Sequence, residues 1–242
     1  MAGLFFQLGK KVGPKVRKAQ WLWQTVFGSE DKMIAAEKGV GEDLAAEVLR
    51  QIPVCTQADI NESVSQISTV LALHLRDKRR EFNITVIKNS PPNAFALPGG
   101  YVFVNQSILD LCRMDKSQIA FIVAHEMAHI VKGHAMERIV MNSAVSFASN
   151  LAVVRSAITG WVRKAGIKAI QSSYSRDHEL QADALAVRLC RAAGFDPAGA
   201  ERLFLNLSRC SQDNTYVLNR YFSSHPDFKV RISEINRVLG RV

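Results

Sequence analysis

Cysteine is scarce in this chain and is not arranged in zinc-binding pairs. Four cysteines occur among 242 residues, and no CxxC spacing is present. They are Cys55, Cys112, Cys190 and Cys210. Zinc sites built on cysteine use closely spaced pairs, so the sequence excludes that class of metal site. The scattered positions favour small buried side chains, with two disulfides as the alternative.

A long uncharged apolar run is also missing. The most apolar stretch, residues 139–170, is interrupted by Asn142, Asn150 and Arg155, whereas a membrane-spanning helix needs about 20 predominantly apolar residues. We predict a long helix or a helix pair there, with a membrane-touching segment as the alternative. The first 18 residues place their apolar part before their charges, which is not the order of a secretory signal peptide.

Acidic residues are absent from the first 29 positions, although the whole chain has a net charge of +9. We predict that residues 1–30 form a basic apolar arm that packs on the body or contacts anionic lipid. The basic residues match no recognised nucleic-acid-binding motif, so we expect no nucleic-acid partner. The apolar content of 48% supports one core, and we predict a single domain over residues 31–242.

Helical periodicity dominates the chain. Apolar residues recur at a spacing of three to four from residue 31 to 80, and again after Asp115. Asp115 is a good N-cap, and Gln118 completes a start that resembles a capping box. We predict that this helix runs at least to Arg138. Two further helices are expected over residues 175–194 and 223–239.

Between the helical stretches the period changes to two. Residues 82–88, FNITVIK, alternate and are rich in β-branched side chains, which predicts a strand. A Gly-Gly turn then precedes a second short strand, Tyr101–Val104. We expect this strand at the edge of the sheet, because Pro98 cannot donate a ladder hydrogen bond. The pattern therefore predicts an α+β fold, mostly α, with helices around a small sheet.

The segment HEMAH, residues 125–129, carries the pattern HExxH on a predicted helix. His125 and His129 are four residues apart, so they lie on one face of the helix and can bind one zinc ion. Glu126 lies about 100° around the helix, too badly angled to be a ligand with them, but it can act as a general base. The alternative is two hydrogen-bonded core histidines beside a surface glutamate.

A catalytic zinc ion needs a third protein ligand and an open fourth position. Glu179 is the best candidate, because Asp183 lies one turn further and can accept the ring N–H of a zinc histidine. His134 is nearer, but a continuous helix would point it about 140° away from His129. We interpret His134 as a capping or packing residue, and we expect His178 at the surface.

A third candidate is His225, in the segment SSHP. It stands where Pro226 is expected to begin the last helix. From there it can stabilise the oxyanion of a tetrahedral intermediate, or it can occupy the open position and silence the zinc ion. A histidine near an N-cap with no catalytic role is the alternative.

Four segments in this order resemble one known family. NAFALPGGYVFVN, HEMAH, SRDHELQAD and SHP are similar to motifs of the gluzincin metallopeptidases of the HtpX and CAAX-prenyl-endoprotease type, over about residues 80–240. With no clear membrane span, the chain resembles the compact members, including the catalytic part of the mitochondrial inner-membrane quality-control protease. The resemblance implies a mostly α zincin-like fold with a small mixed sheet whose edge strand borders the active-site cleft.

The resemblance also implies roles for individual residues. One zinc ion per chain would be held by His125, His129 and Glu179. Glu126 would activate water, Asp183 would orient a zinc histidine, and His225 would act on the transition state or as a gate. A peptide substrate would add as a strand along the segment that precedes the zinc helix. The residues expected to contact it are Asn93, Gly99, Gly100, Tyr101 and Val102.

Two functions are compatible with these motifs. The first is a zinc endopeptidase that acts on misfolded or unassembled polypeptides, with peripheral membrane contact through residues 1–30 or 139–170. The second is a chaperone-like or binding protein with a latent zinc site gated by His225. Glu126 favours the first, because a structural zinc ion needs no general base.

Overall fold

The computed structural model describes residues 29–143, 151–213, 225 and 228–240, which form helices around one small sheet. The helices are α1 (Glu30–Gln51), α2 (Ala58–Leu73), α3 (Gln106–Leu111), α4 (Lys116–Val131), α5 (His134–Ser143), α6 (Leu151–Ala165), α7 (Ile167–Ile170), α8 (Arg176–Ala192), α9 (Gly199–Asp213) and α10 (Phe228–Leu239). The strands are β1 (Asn83–Ile87), β2 (Ala94–Ala96) and β3 (Tyr101–Asn105). The predicted arm falls almost wholly outside the described residues, and the single-domain boundary stays a prediction.

The sheet is mixed and has the order β1-β3-β2. Strand β3 pairs parallel with β1 and antiparallel with β2. The mostly α fold with a small mixed sheet is therefore confirmed, but the prediction that Tyr101–Val104 is an edge strand is wrong. Pro98 lies in a 3₁₀ turn (Pro98–Gly100) before β3, so it removes no donor from the ladder. The edge strand near the predicted zinc motif is β2.

Helix α4 carries the HEMAH segment through the centre of the core. Every residue from Gln118 to Ile130 is buried, because α4 packs against α2, α8, α9 and β2. A helix that is apolar on all sides needs such complete enclosure. The predicted N-cap is confirmed, since the Asp115 carboxylate accepts hydrogen bonds from the amides of Ser117 and Gln118.

The helix does not continue to Arg138 as the sequence predicted. It ends at Val131, and Gly133 adopts a left-handed conformation with φ of +76° before α5 begins at His134. Glycine adopts this conformation without the steric penalty of a Cβ atom, and it is the usual residue just after a helix end. The break turns His134 back toward the HEMAH segment.

The other helical predictions fit more closely. Ser175 caps α8, and Gly194 follows that helix with φ of +79°. The stretch 139–170 forms separate helices in the described part, and no described helix is long and apolar enough to cross a membrane. Cys55, Cys112 and Cys190 are buried free thiols, whereas the side chain of Cys210 lies outside the described residues.

Candidate metal centre

Two imidazoles of α4 converge on one point. The Nε2 atoms of His125 and His129 are 3.1 Å apart, and both side chains are almost fully buried. Their spacing of four residues places them one helical turn apart on the same face. A pair of buried ring nitrogens turned toward each other requires a shared partner, such as a proton or a metal ion.

Glu179 completes this convergence from α8. Its Oε2 lies 3.5 Å from His125 Nε2, and its Oε1 lies 3.3 Å from His129 Nε2. Ligands about 2.0–2.2 Å from a tetrahedral zinc ion lie about 3.3–3.6 Å from one another. The three donor separations therefore fit one zinc ion, and two imidazoles with a carboxylate are a typical donor set for it.

Behind these side chains lies a buried ion-pair network. His125 Nδ1 is 2.9 Å from Asp183 Oδ1. Arg231 of α10 donates to both oxygens of Asp183, each at 2.7 Å, and its Nη1 is 2.8 Å from Glu179 Oε2. Burial raises the pKa of Glu179, but the charges of Arg231, His225 and His125 outweigh it and hold the pKa well below its usual range.

The two histidines differ in their electrostatic surroundings. Burial lowers the pKa of His125, but the charge of Glu179 and the contact with Asp183 outweigh this effect and raise the pKa to about 9. Burial dominates at His129 and holds its pKa well below the usual value. A neutral imidazole is the form that binds metal, so these opposite pKa shifts favour metal binding at His129 and oppose it at His125.

His225 closes the remaining side of the cluster. It is 1% exposed, and its Nδ1 lies 3.2 Å from both carboxylate oxygens of Glu179. One donor atom from each of His125, His129, Glu179 and His225 can be chosen so that all four lie within 4.8 Å of one another. His225 Nε2 is 3.4 Å from the carbonyl oxygen of Ala94 in β2 and 3.7 Å from Glu126 Oε1.

Glu126 is buried beside this cluster but does not join the donor group. Its Oε1 faces His225, and its Oε2 is buried and has no hydrogen-bond partner among the described residues. The angle of about 100° between successive helical residues separates it from the face of His125 and His129. A carboxylate oxygen with an unused acceptor position can bind a water molecule or a proton there.

Sequence reasoning missed three side chains around His129. His134 is buried as a packing residue, but it does not point away from His129 as predicted, because their Nδ1 atoms are 3.2 Å apart and hydrogen-bonded. Contrary to the prediction of a surface position, His178 is buried and stacks on His134. The Tyr174 ring stacks on His129 at 3.6 Å between ring centroids, with Arg138 on its other side. Gly133 was the signal in the sequence that α4 ends before His134.

Most of the residues predicted to contact substrate pack against other parts of the chain. A Cβ atom on Gly99 would stand 2.4 Å from Lys38 Cα, and one on Gly100 would stand 1.8 Å from the carbonyl oxygen of Glu81. These glycines therefore allow close packing of the chain on itself. Val102 is fully buried in the central strand, Tyr101 packs near α1, and Asn93 is buried just before β2. The strand beside His225 is β2.

Comparison with known proteins places the chain in a family. The model of peptidase family M48 matches residues 55–239. The chain is 33% identical over 160 residues to a protein of Schizosaccharomyces pombe named mitochondrial metalloendopeptidase OMA1; the match covers 66% of this chain and 47% of that protein. It is 28% identical over 169 residues to a putative beta-barrel assembly-enhancing protease of Vibrio cholerae, covering 64% and 34%.

A third relative is metalloprotease LoiP of Escherichia coli, 27% identical over 158 residues, with 63% of this chain and 61% of that protein covered. The match thus spans about half or less of the first two relatives. The family model covers well over half of this chain, including the HEMAH segment, Glu179 and His225. The family predicted from the four segments is therefore confirmed: the chain belongs to peptidase family M48.

Proposed function

We propose that this protein is a zinc-dependent endopeptidase that hydrolyses peptide bonds of misfolded or unassembled proteins. The convergence of His125, His129 and Glu179 at separations suited to one zinc ion carries the proposal. Family membership supports the reaction type. The names of two relatives, a mitochondrial metalloendopeptidase and a putative beta-barrel assembly-enhancing protease, support a substrate drawn from protein quality control.

Each side chain of the site has a distinct role in the proposed reaction. A zinc ion held by His125, His129 and Glu179 would polarise the scissile carbonyl and make water more acidic. Glu126 accepts a proton from the attacking water and returns it to the leaving amine, using Oε2, which has no hydrogen-bond partner in the described part of the chain. Asp183 and Arg231 hold His125 and Glu179 in place. His225 donates to the oxyanion that forms on the carbonyl.

We also infer that the peptide pairs with β2 rather than β3. Asn93 and Leu97 direct backbone hydrogen bonds toward β3, so alternation in the strand turns the backbone groups of Ala94 and Ala96 outward. The outward carbonyl of Ala96 accepts a hydrogen bond from Arg138, and that of Ala94 lies near His225. A substrate strand would take the place of these side-chain contacts.

The test is zinc content measured together with casein cleavage, for the wild type and Glu126→Gln. The substitution keeps every proposed ligand and removes the base. About one zinc ion per chain in both proteins, as expected for a three-ligand site, with cleavage by the wild type alone, would support the proposal. A wild-type protein that carries no metal and gains none from added zinc would overturn it.

A latent zinc site gated by His225 is the second candidate. It is favoured by the burial of His225 and by its position 3.2 Å from Glu179, where Nδ1 can serve as a fourth ligand. Four protein ligands close a zinc site and leave no position for substrate. In that case the wild type would bind zinc without cleaving casein, and His225→Ala would release the activity.

A further inference from the structure

We propose that His134 is a positioning residue for the metal centre: it fixes the tautomer and the ring orientation of His129, so that Nε2 of His129 carries the lone pair that binds zinc. This inference rests on the proposed function. It concerns a residue outside the HExxH pattern. A carboxylate would then orient His125, whereas an imidazole would orient His129.

The first step is the position of His134. The left-handed Gly133 ends α4 and turns the chain, so that His134 at the start of α5 lies beneath His129. Its side chain is buried, and its Nδ1 is 3.2 Å from His129 Nδ1. The opposite nitrogen of His129, Nε2, faces His125 and Glu179. His134 therefore contacts the side of the ring that is turned away from the metal.

The second step concerns which nitrogen of a neutral imidazole carries the proton. Such a ring has one N–H group and one lone pair on its two nitrogens. If Nε2 of His129 binds zinc, its proton must be on Nδ1, and a buried N–H group needs an acceptor. Among the described residues, His134 Nδ1 is the acceptor at hydrogen-bonding distance, so the proton of His134 must be on its Nε2.

The third step separates the contacts on the ring faces from the contact at the ring edge. His178 stacks on the face of His134, with 4.0 Å between ring centroids and 14° between ring planes, and this contact does not involve the edge nitrogen that meets His129. His129 is held on its face as well, because Tyr174 stacks on it at 3.6 Å. The His129 ring is thus fixed by one face contact and one edge contact.

The groups that contact the Nδ1 atoms of His125 and His129 therefore differ in charge. His125 is backed by the carboxylate of Asp183, which Arg231 holds with two hydrogen bonds. His129 is backed by an imidazole. Residues that hold the far nitrogen of a zinc histidine strongly affect metal affinity, so His134 should be needed for tight zinc binding even though it is not a ligand.

Two variants of the full chain separate this role from packing. His134→Leu introduces an apolar side chain of similar volume and removes the Nδ1 acceptor. His134→Asn instead places an amide oxygen near the position of Nδ1. The zinc dissociation constant is measured by competition with a chelator, and the melting temperature of each metal-free protein is measured beside it. His178→Leu, which removes the stacking partner and keeps the contact between His134 and His129, is the matched control.

We expect His134→Leu to weaken zinc binding about 10- to 100-fold, His134→Asn to recover most of that loss, and His178→Leu to leave the affinity close to that of the wild type. Wild-type affinity in His134→Leu would overturn the inference and leave the proposed function intact. Equal losses in all three variants, following their melting temperatures, would also overturn it, because packing alone would explain them. Failure of the wild type to bind zinc would instead refute the proposed function.

Discussion

Replacing Arg231 with methionine should destabilise the protein strongly, and more so without zinc than with it. Arg231 has no exposed surface, donates to both oxygens of Asp183, and lies 2.8 Å from Glu179. Methionine keeps the apolar stem and removes the cation. Two buried carboxylates would then lose the guanidinium that compensates them.

The size of the effect follows from this geometry. Removal of one partner from a buried ion pair costs about 3–5 kcal/mol. For a chain of this length each kcal/mol corresponds to about 2–4 °C, so the melting temperature of the metal-free protein should fall by about 6–20 °C. Zinc bound at Glu179 would compensate one of the two carboxylates. The decrease in the zinc-loaded protein should therefore lie toward the lower end of that range.

Thermal unfolding followed by circular dichroism, with zinc and after chelation, checks this prediction. Arg231→Lys should be intermediate, because an ammonium keeps the charge but cannot form the two-point contact with Asp183. Arg237→Met is the matched control on the same helix, since Arg237 pairs with Glu234 at the surface and its side chain is 70% exposed. A decrease for Arg231→Met no larger than that of this control would refute the reasoning.

Three further predictions concern the elements that hold the site. The Asp115 carboxyl caps α4; burial raises its pKa, but hydrogen bonds from Arg202, Gln118 and the helix amides outweigh this and hold the pKa at about 2. Its stabilisation is therefore present above the unfolded value of about 3.9 and is lost as the pH falls toward 2. In urea titrations Asp115→Ala should cost about 1–2 kcal/mol at pH 7, about half of that at pH 3, and little at pH 2. An equal cost at pH 7 and pH 2 would contradict this, and Asp115→Asn, which keeps the cap, should cost less. Gly133→Ala should lower the unfolding free energy by about 1–2 kcal/mol, because the φ of Gly133 is +76°. The substitution should also weaken zinc binding by displacing His134. Unchanged urea and zinc titrations would exclude both effects. Gly41→Ala should destabilise by about 1–3 kcal/mol, since its Cβ would stand 1.9 Å from the carbonyl oxygen of Pro98, whereas Gly160→Ala in α6 meets no atom within 4 Å and should be neutral or stabilising in the same titrations.

The sequence predicts which side chains converge where the signal is local. His125 and His129 are one helical turn apart, and Glu179 and Asp183 repeat that spacing on another helix, so periodicity alone places each pair on one face. His134 was misplaced because a continuous helix was assumed through Gly133. A glycine after an apolar run indicates a helix end. A helix that ends at Gly133 allows the chain to turn and His134 to face His129.

Arg231 and β2 could not be predicted because their roles depend on contacts distant in sequence. An arginine in a helical pattern is usually solvent-exposed, and its burial here depends on the packing of α10 against α8 and on Asp183, 48 positions away. The strand β2 has three residues and follows two prolines, so its local pattern indicates a loop. It becomes a strand because β3 offers it a pairing edge.

The buried charges of the centre also explain why its parts must be considered together. Glu179 and Asp183 are both fully buried, and neither would be stable as an isolated anion. Arg231 contacts both, and His125 lies between them, with its Nδ1 2.9 Å from Asp183 and its Nε2 3.5 Å from Glu179. A zinc ion would add a second positive partner at Glu179, while Arg231 would continue to hold Asp183 in position to orient His125. Arg231 thus compensates these carboxylates without the metal and keeps the donors converged, which reduces the rearrangement that metal binding requires.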